Sequence, residues 1–206
     1  MFSKTIESVG VEVECGISQT KLDKLKAKYG PTGRFSPGVD HSVTVIAPPG
    51  AHDWISNEEM HYFSTSPQDL AHFFEDTFRD NMRLGAITNH SCGMHTHIRM
   101  DPSLIFQWSY KITVQRFLTL YKAKFKDNPK YMNRLVNHFT VGSYNLNDAV
   151  DQVTHSIKGM YRYRAVNLNA YFIDPQRGTM EIRLLPGMRD AQEAMSAIEW
   201  LVSVVD

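Results

Sequence analysis

Cysteine is scarce in this chain. Cys15 and Cys92 are the only two among 206 residues, too few for a disulfide framework and suited to a reducing compartment. An excess of either charge is missing as well, since 22 Lys and Arg face 22 Asp and Glu. A balanced chain offers no basic surplus to nucleic acid or an anionic membrane, so neither is expected as a partner. No apolar run approaches the ~20 residues that cross a bilayer, and the first residues lack the apolar stretch of a signal peptide. Internal repeats and low-complexity segments are also absent. The expectation is a cytoplasmic protein with a single catalytic-type domain over 1–206. Its hydrophobic fraction of 42% is enough for one substantial core and argues against disorder.

What the chain does have is alternation. Residues i and i+2 of a β-strand point to the same face. In Val9-Gly10-Val11-Glu12-Val13-Glu14 the valines take one face and Glu12 and Glu14 the other. In Gly93-Met94-His95-Thr96-His97-Ile98, His95 and His97 share a face opposite Met94, Thr96 and Ile98. In Met180-Glu181-Ile182-Arg183-Leu184, Glu181 and Arg183 oppose three apolar residues. If these strands share a sheet, carboxylates, imidazoles and an arginine converge on one surface, as a divalent metal and a phosphate require.

Around them the pattern predicts further elements. Strands are expected over 5–17, 40–46, 59–65, 93–100, 161–172 and from Met180. Helices are expected over 21–29, 66–84, 101–126, 131–139, 148–157 and from Asp190, where Asp190-Ala191-Gln192-Glu193 has a capping-box pattern. Asp174-Pro175-Gln176-Arg177-Gly178 is a turn that would fold the 161–172 strand onto the Glu181 strand as a hairpin. The fold class that follows is α+β: a mainly antiparallel sheet, helices on its apolar face and an open polar face carrying the site.

The residue types suit one chemistry. Mg²⁺ prefers oxygen ligands and completes its shell with water and phosphate, while Mn²⁺ more readily accepts an imidazole. Arg183 beside Glu181 offers forked donors to a phosphoryl group, and Arg162 or Arg164 can hold a carboxylate or a second phosphate.

Gly93-Met94-His95-Thr96-His97 resembles the Gly-Met-His-x-His strand of glutamine synthetase, Glu12-Val13-Glu14 its Glu-x-Glu strand and Glu181-Ile182-Arg183 its Glu-x-Arg strand. The shorter spacing and Tyr163-Arg164-Ala165-Val166-Asn167-Leu168 look more like the amidoligases, a compact branch of the carboxylate–amine ligase superfamily. The resemblance runs from about residue 6 to about residue 190. It implies a glutamine-synthetase-like sheet and ATP-dependent ligation of a small-molecule or peptide carboxylate to an amine. ATP would phosphorylate the carboxylate, and the amine would attack the acyl phosphate. Glu12, His95 and Glu181 would hold the metal nearer the phosphates, Glu14 the metal nearer the substrate, and Arg183 would stabilise the moving phosphoryl group. The third strand would supply a further acid, Glu59 or its neighbour Glu58. Asp40 and Ser42 resemble the family's Asp-x-Ser, and Arg164 and Asn167 its Arg-x-x-Asn, although these last two have opposite strand parity and need a bulge to face one way. The expected catalytic residues are thus Arg183, Glu59 and Arg164. The nucleotide-binding residues are His97, Arg183, Asn167 and Ser42, and the metal ligands Glu12, Glu14, His95 and Glu181. His97 stands apart from His95 because a rise of roughly 3.3 Å per residue separates them by about 7 Å, too far for one Mg²⁺ shell with ligands at about 2.1 Å. Family members continue further past the Glu-x-Arg strand, which leaves room for a truncated lid or for an oligomer or partner subunit that completes the site.

Other readings stand beside this one. Glu12-x-Glu14 alone is an ordinary solvated strand face. His95-x-His97 with a glutamate is a zinc pair, hence a zinc-dependent hydrolase. Glu181-x-Arg183 alone is a weak salt bridge. A non-catalytic relative that binds a nucleotide or peptide is the third alternative.

Overall fold

Two strands with near-perfect alternation lie side by side at the centre of the molecule. The computed structural model describes residues 5–41, 43–63, 67–135, 165–176 and 178–205. Its elements are β1 (Ile6–Ser18), α1 (Gln19–Tyr29), β2 (Phe35–Val39), β3 (Trp54–Phe63), α2 (Pro67–Arg83), β4 (Gly93–Met100), α3 (Pro102–Gln107), α4 (Lys111–Phe125), α5 (Pro129–Met132), β5 (Val166–Asn167), α6 (Asn169–Ile173), β6 (Met180–Pro186) and α7 (Ala191–Val205). The six strands form one sheet in the order β2-β3-β1-β4-β6-β5, and every neighbouring pair is antiparallel. This is a mixed helix-and-strand fold with a mostly antiparallel open sheet. Among the described residues no helix is long and apolar enough to cross a membrane.

The alternation decides which way the sheet faces. Val9, Val11 and Val13 of β1, Met94 and Ile98 of β4, and Met180 and Ile182 of β6 are buried in one core. Leu70, Phe74 and Phe78 of α2 and Ile198, Leu201 and Val202 of α7 belong to the same core. β-branched residues suit the pleated surface, and the helices contribute one apolar stripe each. Helix starts follow local chemistry. The hydroxyl of Ser18 accepts from the Lys21 N–H at 3.4 Å, the carboxylate of Asp101 from Ser103 at 2.8 Å, and that of Asp190 from Glu193 at 2.7 Å.

Several expected elements differ. Among the described residues of 40–46 no strand forms; the strand is β2, over Phe35–Val39. Pro37 lies on this edge strand, which has one neighbour only and tolerates a missing N–H. Val43 and Val45 are nonetheless buried, in a small cluster with Cys92, while Trp54 and Ile87 pack on it. The Val45 N–H donates to Ser56 at 2.9 Å and the Trp54 indole to the Val45 carbonyl at 2.9 Å. The expected 101–126 helix is two helices broken at Trp108–Tyr110, and the break shifts the buried stripe to Val114, Phe117 and Tyr121, leaving Ile112 exposed. Of the described residues of the expected 161–172 strand, β5 is the strand; the Asn167 side chain accepts from the Asn169 N–H at 3.0 Å and turns the chain into α6. β5 does pair with β6, across α6 and not through a simple hairpin turn. The expected 148–157 helix and Ser66 lie outside the described residues.

Candidate functional site

Register brings the polar faces together. In the β1–β4 ladder Glu12 is opposite His95 and Gly10 opposite His97. In the β4–β6 ladder His97 is opposite Glu181, and in the β5–β6 ladder Asn167 is opposite Glu181. On the other side of β1, Glu12 is opposite His61 and Glu14 opposite Glu59. Glu58 is opposite Cys15.

The Glu12 carboxylate is the hub. Its Oε2 lies 3.1 Å from His95 Nδ1, and its Oε1 lies 2.8 Å from His97 Nε2 and 3.5 Å from His61 Nδ1. Burial alone would push this carboxyl up. Hydrogen bonds with His61, His95 and His97 outweigh burial and hold the carboxyl far below the ordinary carboxylate range. Burial likewise favours a neutral His97, but Glu12 and Glu181 overcome it and raise that imidazole above its usual value. His95 reaches all three acids: besides Glu12, its Nδ1 is 3.3 Å from Glu181 and its Nε2 is 3.4 Å from Glu14.

Glu181 is held at both oxygens. Oε1 accepts from Arg183 Nη1 at 2.5 Å and Oε2 from the Asn167 amide at 2.6 Å. Burial would raise its carboxyl, yet the charges of Arg183, His97 and His95 bring it below its ordinary value. Arg183 gains in return, since Glu181 and Glu14 more than offset its burial and raise it further.

A bulge sets Arg183 in place. Thr96 pairs with Ile182 and Met94 with Leu185, so Arg183 and Leu184 together oppose His95. The peptide groups this irregularity displaces are captured individually. The Arg183 N–H donates to the Ala165 carbonyl at 3.0 Å, Arg134 Nη2 donates to the Arg183 carbonyl at 3.2 Å, and the buried Tyr121 hydroxyl donates to the Leu184 carbonyl at 2.7 Å. Gly93 leaves room for its neighbours here: a Cβ would push the end of the Arg134 side chain aside and lie 3.0 Å from His95 Nε2. Its N–H donates to Glu14 Oε2 at 2.5 Å, which ties that carboxylate to the start of β4.

The expected residues therefore sort as follows. Glu12, Glu14, His95, His97, Glu181, Arg183 and Asn167 share one neighbourhood. Ser42 and Arg164 lie outside the described residues, and Asp40 is buried in the loop after β2. One ligand atom from each of Glu12, His97 and Glu181 lies within 4.8 Å of the others, so His97 completes this group of three, with His95 against its inner side. Strand rise fixes the spacing of backbones, not of imidazole tips, and both rings lean onto one carboxylate. Three further residues join the site without having been expected there. His61 stands two positions beyond Glu59 on β3 and Thr179 two before Glu181, so parity could have found both. Thr179 Oγ1 is 3.3 Å from His97 Nδ1 and orients that ring. Arg134, on a short 3₁₀ turn after α5, carries no pattern that points to the sheet.

Two cavities flank this row. A smaller one of about 200 Å³ lies over Ser8, Gly10, Glu12, His61, His97 and Thr179. A larger one of about 540 Å³ lies at the Gly93 end and is lined by Arg134. The arrangement can hold a cation between acids and imidazoles and present a fixed guanidinium to an anion beside it. Searches of protein-family models and of curated proteins find no match to this chain.

Proposed function

We propose that this chain is an ATP-dependent carboxylate–amine ligase of the amidoligase kind, built on a glutamine-synthetase-like sheet. It would join a carboxylate and an amine into an amide through an acyl phosphate, with Mg²⁺ or Mn²⁺ as its metal. The observation that supports this most is the convergence, on one sheet face, of the buried His95, Glu181 and Arg183 with the half-buried Glu12 and His97 from three separate strands.

The donor set fits a divalent metal. Glu12, His97 and Glu181 approach one another as ligands of one ion do, and His97 Nε2 lies 2.8 Å from Glu12, so the two donors stand side by side for one cation. The mixture of carboxylate and imidazole favours Mn²⁺ over Mg²⁺ among the hard cations. When bound, the metal supplies charge neutralisation to transferring phosphate oxygens. The protein's part is positioning. Asn167 and Arg183 fix Glu181, Thr179 orients His97, and the bulge holds Arg183 so that its fork can meet a phosphoryl group without reorganisation. The buried thiols of Cys15 and Cys92, which form no disulfide, suit a reducing, cytoplasmic setting.

The test is ADP release from ATP in a matrix of amino acids and small amines with Mg²⁺ or Mn²⁺. Release that needs both a carboxylate and an amine supports the reading; none across the matrix sinks it. A zinc-dependent hydrolase is the second reading, favoured by the same three donors, which match a catalytic zinc site with an open position.

A further inference from the structure

We propose that Gly10 opens a ligand position beside the Glu12–His97–Glu181 group, and that the occupant is an oxyanion bound to the metal held there. The inference rests on the ligase reading and deepens it. On β1, Ser8, Gly10 and Glu12 share the polar face by strand parity, and all three line the cavity of about 200 Å³ together with His61, His97 and Thr179. Neither backbone nor packing demands the glycine. The positive φ values among the described residues belong to Gly33, Gly50 and Gly85. A Cβ on Gly10 would meet the His97 Cβ and the Tyr62 carbonyl oxygen, both at 3.6 Å, an ordinary contact distance. Glycine inside a strand costs stability relative to alanine, and it marks places where another group comes close to the backbone. The volume is below the ~300–1,000 Å³ of pockets that enclose drug-sized ligands, so it suits one tetrahedral group and not a whole nucleotide.

Hydrogen bonding gives the occupant's chemistry. His97 turns Nε2 to Glu12 at 2.8 Å and Nδ1 to Thr179 Oγ1 at 3.3 Å. With Nε2 on the metal, the ring proton stays on Nδ1 and donates to Thr179. The Thr179 hydroxyl then has its own hydrogen to give, and it lines the cavity with the Ser8 hydroxyl. A ligand entering there meets a cation held by two of the lining residues, Glu12 and His97, and hydroxyl donors beside it. That combination suits an acceptor with several oxygens, such as phosphate, and the metal would repel an ammonium group.

Water-proton relaxation of the Mn²⁺-loaded protein tests this, because an oxyanion on the metal displaces bound water. Phosphate is expected to lower the relaxation saturably in the wild type. Gly10→Val should keep the Mn²⁺ affinity and weaken phosphate about tenfold or more, since the branched side chain overfills the cavity. Ser8→Ala should weaken phosphate about fivefold, the loss of one hydrogen bond. Unchanged phosphate affinity in Gly10→Val, an equal loss of Mn²⁺ and phosphate in that variant, or no Mn²⁺-dependent phosphate binding in the wild type would overturn the proposal. Should Gly10→Val fail to fold, Ser8→Leu fills the same cavity and decides the same question. ATP distinguishes the source. ATP that displaces phosphate puts a nucleotide phosphate in the cavity, ATP bound alongside phosphate leaves it to the free ion, and both uphold the oxyanion. Failure of the two readings is separable. Phosphate binding that needs Mn²⁺ and is lost in Gly10→Val, with no amine-dependent ADP release, overturns the ligase and keeps this site. Amine-dependent ADP release, with phosphate binding unaltered in Gly10→Val, overturns this site and keeps the ligase.

Discussion

On the helix side of β1, β4 and β6 stand Val9, Val11, Val13, Met94, Ile98, Met180 and Ile182, each no more than 1% exposed. On the other side of the same strands stand Glu14, His95, Glu181 and Arg183, each no more than 8% exposed. The residues named on both faces are buried, Glu12 and His97 beside them on the second are half-buried, and the two faces are chemically opposite. Dryness explains the first face, since removing apolar surface from water drives folding. It works against the second, because burying charges costs several kcal/mol per ion before pairing returns it, and apolar replacements of similar volume are often neutral or stabilising. A solvated strand face would leave its charges in water; this one buries Glu14, His95, Glu181 and Arg183. The cost of burying these charges is the reason the proposed function is placed on this face.

The comparison can be broken at either face. The largest effect is expected at Arg183. Arg183→Lys should bind ATP with the metal nearly as the wild type does and lose turnover by about a thousandfold, because a lysine cannot present the planar fork. Kinetics with nucleotide affinity measured in parallel checks this, and an equal loss of both would assign Arg183 to ground-state binding. On the apolar face, Met94→Ala should cost about 2–5 kcal/mol of stability in a urea titration, while the metal affinity of the folded fraction stays unchanged. Asn167→Ala should do the reverse. It frees one oxygen of Glu181, and metal affinity measured by calorimetry should drop about tenfold or more, while the urea midpoint falls less than in Met94→Ala, by the loss of the Asn167–Asn169 turn bond.

The mildest test is pH. Glu12 and Glu181 lie below their ordinary value of 4.5, so their contribution to stability is complete above pH 4.5 and is lost as pH falls through the lowered values. His97 lies above its ordinary value of 6.5, so its contribution is complete below pH 6.5 and is lost as pH rises through the raised value. Metal-free protein is therefore expected to be most stable between pH 4.5 and 6.5. Glu12→Gln should flatten the alkaline limb, because His97 then loses its partner. An unchanged limb in that variant would mean that the imidazole does not titrate with Glu12.

Much of the ionic face was legible because strand parity is a strict rule. Once β1, β4 and β6 are strands, Glu12, His95, Glu181 and Arg183 have no other side to occupy than the one opposite the valines and methionines. Parity ended where regular ladders end. The bulge that places Arg183 and Leu184 against His95 leaves no trace in composition, and neither does the capture of its carbonyls by Arg134 and Tyr121. β2 was hidden by Pro37-Gly38, which reads as a turn and is tolerated only because the strand is an edge. The break between α3 and α4 has no glycine or proline to mark it; Trp108 caps α3 and its ring packs against Phe117 at 5.3 Å, a tertiary fact. The proximity of His97 to Glu12 depends on how side chains lean, which backbone spacing does not report.

The central claim is that the ionic face holds a metal together with a nucleotide, and the melting temperature tests it most directly. A ligand that binds only the folded state raises it by mass action. The account predicts that ATP with Mg²⁺ or Mn²⁺ raises the melting temperature of the wild type, that the metal alone does so less, and that Glu12→Gln abolishes both shifts. A rise with Zn²⁺ alone, unaffected by ATP and lost in both His95→Ala and His97→Ala, would contradict it and put a zinc centre in its place.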